Sequence, residues 1–135
     1  MYYGKCLCGS INIEISGPIT DIIHCHCSLC RKSSGSAYST NGFVNTSTFK
    51  VTSGIENLKE FSLESGRKRH FCITCGSPVY SSSGTDPDRV RLRLGILDSN
   101  IIERPSAHNF VSSKANWEIL NTHLPTNEGH EAGRT

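Results

Sequence analysis

A chain of 135 residues has the length of one domain, and an apolar share of 36% with 7% aromatics gives it a thin core for that size. Charged residues at 19% are too few for a charge-driven disordered chain, and a formal net charge of +2 is weak support for a nucleic-acid binder. Seven cysteines supply the further constraint that a thin core calls for.

Residues 10–15 alternate, with Ile11, Ile13 and Ile15 on one face and Asn12 and Glu14 on the other, the period of a half-buried strand stopped at Gly17-Pro18. Ile22-Ile23 lead into His24-Cys25-His26-Cys27-Ser28-Leu29-Cys30, a run so short and rich in Cys that a loop or knuckle is expected. Residues 31–35 read as a single helical turn closed by Gly35. Residues 43–51 and 58–63 read as short strands punctuated by Gly42, Gly54 and Gly66. A second Cys-bearing turn spans 70–76, and a strand at 78–80 leaves it. Residues 89–94 alternate again, placing Arg89, Arg91 and Arg93 on a face expected to be exposed. A further strand is expected at 109–111, then a short helical or irregular segment at 115–120 whose Trp117 is expected to anchor in the core.

These elements predict a mainly β domain of short strands over residues 1–125, followed by a frayed polar tail over 126–135. No stretch approaches the roughly 18 apolar residues of a membrane span, so no membrane partner is expected. No secretory signal is visible at the N-terminus, so a reducing, cytoplasmic setting is expected, where clustered Cys bind metal more often than they crosslink.

The cysteines fall into three groups: Cys6-x-Cys8, Cys25-x-Cys27-x-x-Cys30 and Cys72-x-x-Cys75. A structural zinc site takes four thiolate or imidazole ligands in a closed tetrahedron, and two short pairs can close such a shell. Cys6, Cys8, Cys72 and Cys75 are the natural set, and they would staple the first strand to the middle of the chain. Cys25, Cys27 and Cys30 remain, three ligands from one tight loop with the fourth position left to water or a thiol, as in a catalytic zinc site. Spacing alone leaves alternatives open: His24, His26 or His70 as a fourth ligand, or Cys72 or Cys75 completing the loop site. Two Zn2+ on seven thiolates would subtract three charges and leave −1, which removes the basic balance a nucleic-acid partner would need. Three thiolates also weaken zinc as a Lewis acid for water, so a soft thiol suits the open position better than a hydroxide.

The segments CLCGSI (6–11), CHCSLCRKSSG (25–35), FCITCGSPVY (71–80) and RPSAHNFVSSKANWEILNTHLP (104–125) resemble the family of glutathione-dependent formaldehyde-activating enzymes, which also contains centromere-protein-V-like proteins. The resemblance implies a small, tent-like β fold stapled by zinc and shared with the chaperone Mss-four. It implies two zinc ions per chain: a structural one on Cys6, Cys8, Cys72 and Cys75, and a catalytic one on Cys25, Cys27 and Cys30. It also implies a carbon–sulfur lyase activity that joins formaldehyde to glutathione as S-(hydroxymethyl)glutathione, or acts on a related small thiol. The competing expectation from another class is a non-catalytic zinc-stabilised module that binds a protein or a thiol ligand. Two positions depart from the family pattern: Asn109, where an aliphatic residue is usual, and His123, where Gly is usual.

Arg67, Lys68 and Arg69 offer a basic patch that could receive the carboxylates of glutathione, although a solvated turn is the simpler expectation. His108 is expected to be a hydrogen-bonded structural residue. Ser33, Ser34 and Ser36 are candidate donors to the loop sulfurs or to substrate.

Overall fold

The isoleucine alternation builds the first of two sheets. In the computed structural model, which describes residues 1–120 and 123–134, β1 (Tyr2–Lys5), β2 (Asn12–Ile15) and β5 (Phe49–Ser53) pair antiparallel in the order β1-β2-β5. Asn121 and Thr122 of the 104–125 segment, and Thr135 of the tail, lie outside the described residues. The second sheet runs β10-β3-β4-β9-β8-β7-β6. Its strands are β3 (Thr20–Cys25), β4 (Ser39–Asn45), β6 (Leu58–Ser62), β7 (Lys68–Cys72), β8 (Pro78–Ser82), β9 (Arg89–Arg93) and β10 (Ala107–Asn109). Every pairing in it is antiparallel except β10 with β3, which sets His108 opposite His24 and Asn109 opposite Cys25. The fold is mainly β, as expected.

Ile11, Ile13 and Ile15 are buried and share one cluster with Ile19, Ile22, Val44, Val79, Val90 and Leu92, so residues of both sheets meet in a single core. Burying each such side chain is worth about 1.5–3 kcal/mol. Cys6 and Cys72 lie in this cluster, whereas Cys25 and Cys30 belong to a smaller one with Ile23 and Ala107.

Several local expectations are corrected. Residues 24–25 continue β3, and the helix α1 (Ser28–Ser34) starts before Arg31 because the Cys27 sulfur caps it, accepting from the Cys30 amide at 3.3 Å. Gly35 ends it in the left-handed region, at φ 64°. The span 43–51 is two strands in different sheets, separated where Asn45 Oδ1 accepts from the Ser47 amide at 2.9 Å. Gly42 therefore sits inside β4, where packing excludes a side chain: a Cβ would come 2.5 Å from Ile19 Cγ2. Trp117 is 66% exposed, and the residue its segment buries is Ala115.

The arginine row of β9 is the largest correction. Val90 and Leu92 enter the main core as the period predicts, yet Arg91 and Arg93 on the opposite face are only 5% and 8% exposed. That face is roofed rather than wet. Phe43 of β4 lies on it with the guanidinium of Arg89 at 3.6 Å and that of Arg91 at 5.0 Å from its ring centroid. Arg134 from the chain's last residues reaches the same ring at 4.4 Å. The tail accordingly packs instead of fraying: the His108 amide donates to the Pro125 carbonyl at 2.9 Å, and the Asn127 amide to the His108 carbonyl at 2.8 Å. Asn109 bonds both Asn127 and Glu131, and Arg134 bonds Glu131 and the Asp21 carbonyl. Among the described residues no helix is long and apolar enough to cross a membrane.

Gly54 holds the turn before β6 at φ 81°, and a Cβ there would lie 1.9 Å from the Ser10 carbonyl oxygen. Gly54→Ala is expected to cost at least about 2 kcal/mol of stability in a denaturation experiment, against no more than about 0.5 kcal/mol for Gly84→Ala, which meets nothing within 4 Å.

Candidate metal centres and the adjoining cavity

Two turns carry the first cysteine group. After β1, the Cys6 amide donates to the Ile11 carbonyl at 3.0 Å and the Gly9 amide to Cys6 O at 2.9 Å, folding residues 6–11 into a tight knuckle. After β7, the Gly76 amide donates to Cys72 O at 2.8 Å and the Cys72 amide to Ser77 O at 3.0 Å, making a second one. The Ser77 hydroxyl joins them: it accepts from the Leu7 amide at 2.9 Å and lies 3.2 Å from Cys75 Sγ. That hydroxyl is the first cause that draws the Cys75 thiol down to about 5. The sulfurs of Cys6, Cys8, Cys72 and Cys75 converge within 4.8 Å of one another, with Cys6–Cys8 at 3.6 Å and Cys8–Cys72 at 3.8 Å. Four sulfurs on a tetrahedral zinc, each about 2.3 Å from the metal, stand about 3.8 Å apart, so this donor set fits zinc in number, softness and spacing.

The second group draws on two elements. Cys25 ends β3, buried between β4 and β10, with the following His26 amide bonded to the Asn109 carbonyl at 2.9 Å. Cys27 caps α1 and Cys30 lies one turn into it. Their three sulfurs also lie within 4.8 Å of one another. Hydrogen bonds from Cys25 and Cys27, and behind them the charges of Arg93 and Arg69, hold Cys30 well below the ordinary thiol range despite its burial. Bonds with Cys27 and Cys30, and then burial, push Cys25 up. Cys27 is raised as well, so the negative charge is favoured on Cys30, and three soft donors suit a thiophilic metal.

No fourth His, Cys, Asp or Glu joins this trio among the described residues. The histidines considered from the sequence are engaged elsewhere. His24 Nδ1 pairs with Thr40 Oγ1 at 2.8 Å, His26 Nε2 with His108 Nδ1 at 2.8 Å, and His70 Nε2 with Ser82 Oγ at 2.9 Å while its ring stacks on Tyr80. Burial, then the charge of His108, lowers both His24 and His26 to about 4, so these rings pack as neutral groups beside Tyr38. Cys72 and Cys75 stay in the other group. His108 is the buried, hydrogen-bonded residue expected. Ser34 bonds the Cys30 carbonyl rather than a sulfur, at 2.8 Å.

The trio opens on a cavity of about 180 Å3 that the sequence reading did not assemble. Arg67 and Arg69, expected to be solvated, line it together with Arg91, Arg93 and Arg134. Arg69 Nη2 lies 3.9 Å from Cys30 Sγ. Burial, then repulsion from Arg67 and Arg134, lowers Arg91 to about 10, and burial lowers Arg93 to about 10, so both remain cationic at neutral pH. Three arginines at period two in β9 were the available signal, read as a solvent face because the covering tail lies forty residues on in sequence. A neighbouring apolar cavity of about 460 Å3 shares Leu29, Leu63, Arg69 and Arg93 with it and is walled by Phe61 and Tyr80. Asn109 lies outside both linings; its carboxamide holds the tail.

Known proteins resemble this chain over most of its length. A family model, the glutathione-dependent formaldehyde-activating enzyme, matches residues 1–113. A Halomonas elongata protein provisionally named a glutathione-dependent formaldehyde-activating enzyme is 28% identical over 122 residues, covering 84% of this chain and 77% of its own. A crystal structure of a Rhodobacter sphaeroides protein superposes with a TM-score of 0.62 at 26% identity, covering 76% of this chain and 97% of the other.

Glu131 supplies a prediction. Although burial opposes its charge, bonds from Arg134 and Asn109 hold its carboxyl below the ordinary 4.5. A carboxyl depressed in the folded state contributes fully above its unfolded pKa and loses that contribution as the pH falls through the folded one. Carboxypeptidase digestion should therefore leave the tail intact at neutral pH and trim it as the pH falls through the acidic range in which Glu131 takes up its proton. Ending the chain after Pro125 should lower stability by about 1–2 kcal/mol in thermal unfolding.

Proposed function

The chain belongs to the family of glutathione-dependent formaldehyde-activating enzymes, and we propose that it is a zinc-dependent carbon–sulfur lyase. It would join formaldehyde to glutathione, or to a related small thiol, giving S-(hydroxymethyl)glutathione or its counterpart. In this reading Cys25, Cys27 and Cys30 form the catalytic centre, and Cys6, Cys8, Cys72 and Cys75 the structural one. The observation that carries it is the difference in donor number among the described residues: four sulfurs converge in one group and three in the other, and the three line a cavity together with arginines.

Zinc on three thiolates would supply a soft acceptor that lets a substrate thiol ionise at neutral pH. In the reaction the sulfur's electron pair forms the bond to the formaldehyde carbon, the carbonyl π pair moves to oxygen, and the proton given up by the thiol ends on that oxygen. Arg69 and Arg93 face Cys30 and offset the negative charge gathered there. Leu29, Leu63 and Phe110 line the same cavity and limit the access of water. The seven free thiols suit a reducing, cytoplasm-like compartment.

Metal-replete protein is expected to hold about two zinc ions per chain and to accelerate hydroxymethyl-thiol formation over the uncatalysed reaction of formaldehyde with glutathione. Cys27→Ser should abolish the acceleration while shifting the melting temperature little, and Cys8→Ser should lower the melting temperature by many degrees. No acceleration with glutathione or other small thiols would overturn the lyase reading. A Cys27→Ser protein as unstable as Cys8→Ser would point instead to a structural site in a binding module.

A further inference from the structure

Four donors that line the small cavity lack partners among the described residues: Arg67 Nε, Arg69 Nη1, Arg91 Nη2 and Ser81 Oγ. Two of their side chains are almost wholly buried, Arg91 at 5% exposure and Ser81 at 1%. The described ion pairs are Lys68–Glu60, Arg89–Asp86 and Arg134–Glu131, so among the described residues no carboxylate pairs with Arg67, Arg69, Arg91 or Arg93, and Asp86, which pairs with Arg89, acts on Arg91 only at longer range. Buried guanidinium groups lose their hydration and repel one another unless an anion answers them. The cysteine trio answers only part of this charge. Arg93 and Arg69 face Cys30, while Arg67 and Arg91 stand against each other and Arg134.

Guanidinium groups in a fork match a carboxylate or another oxyanion through paired N–H bonds, and the Ser81 hydroxyl adds a neutral donor. The positions matter as much as the charge. β7 supplies Arg69, the turn before it Arg67, β8 Ser81 and β9 Arg91; Arg69 pairs with Ser81 and Ser81 with Arg91 across the strands, so the donors sit side by side in the cavity that Cys30 also lines. We propose that this cavity is an oxyanion subsite beside the cysteine trio, and that it selects small thiols carrying a carboxylate close to the sulfur. The selection of thiols rests on the function proposed above; the oxyanion site itself does not.

The test uses metal-replete protein and three probes: sodium sulfate against sodium chloride at equal ionic strength, 3-mercaptopropionate, and 2-mercaptoethanol as its uncharged counterpart. The carboxylated thiol should bind at least tenfold more tightly by calorimetry, and sulfate should raise the melting temperature. Arg91→Met should erase both effects and Arg91→Lys should keep part of them. If Arg91→Met does not fold, Arg67→Gln, half-buried on its turn, should cut the preference severalfold. A thiol preference without a sulfate shift keeps the site and makes it specific for carboxylates. Equal affinity for the two thiols overturns the selection, and with no sulfate shift it overturns the site as well. Effects that survive both substitutions place the anion elsewhere. A retained preference in a protein that does not accelerate formaldehyde addition would remove the lyase reading and leave this one standing.

Discussion

Two knuckles that lie sixty residues apart in sequence are brought within thiol-to-thiol distance, and the geometry of the remainder follows from that meeting. The Cys6–Cys8 turn leads into the isoleucine strand of the small sheet, and the Cys72–Cys75 turn joins β7 to β8 of the large one. Holding the four sulfurs together therefore fixes one sheet against the other. Cys6 and Cys72 are members of the aliphatic core, so the cluster is packed as well as bonded. A core with few aromatics has little surplus cohesion, and this is where a metal fitted to the donor set would contribute most.

Once the sheets are fixed, the far side of β3, β4 and β9 becomes a second interior. Aliphatic side chains fill the first; the second holds thiols and arginines. Its chemistry is separated by position. The imidazoles of His24, His26 and His108 cluster with Tyr38, His24 and His108 standing on the opposite face of β3 and β10 from Cys25, while the cationic arginines gather beside the trio, with Arg69 and Arg93 facing Cys30. Thiolates next to guanidinium groups favour anionic sulfur, and this placement gives the cluster its electrostatic polarity.

The cysteine partition was legible in the sequence because ligand spacing is a local property: a knuckle is built within a few residues, and both groups converge as their spacing suggests. The isoleucine strand was legible for the same reason, since alternation reports a face without needing to know its partner. The arginine face was not. Period two in residues 89–94 identified two faces correctly, but whether the second meets water depends on Arg134, Glu131 and Phe43, none of which is nearby in sequence. Trp117 failed in the reverse sense: its size suggested the core, yet the core was already closed by smaller side chains of the two sheets. Asn109, a departure from the family pattern, acquires its purpose only through residues 127 and 131.

The way the last residues close over Phe43 has a practical bearing on how the protein should be handled. His130 and Arg134 border the small cavity, and Arg134 is buried, whereas Met1 is 69% exposed. An affinity handle appended at the carboxyl end would crowd this wall, and an oligohistidine one would bring competing metal ligands to the cysteine trio.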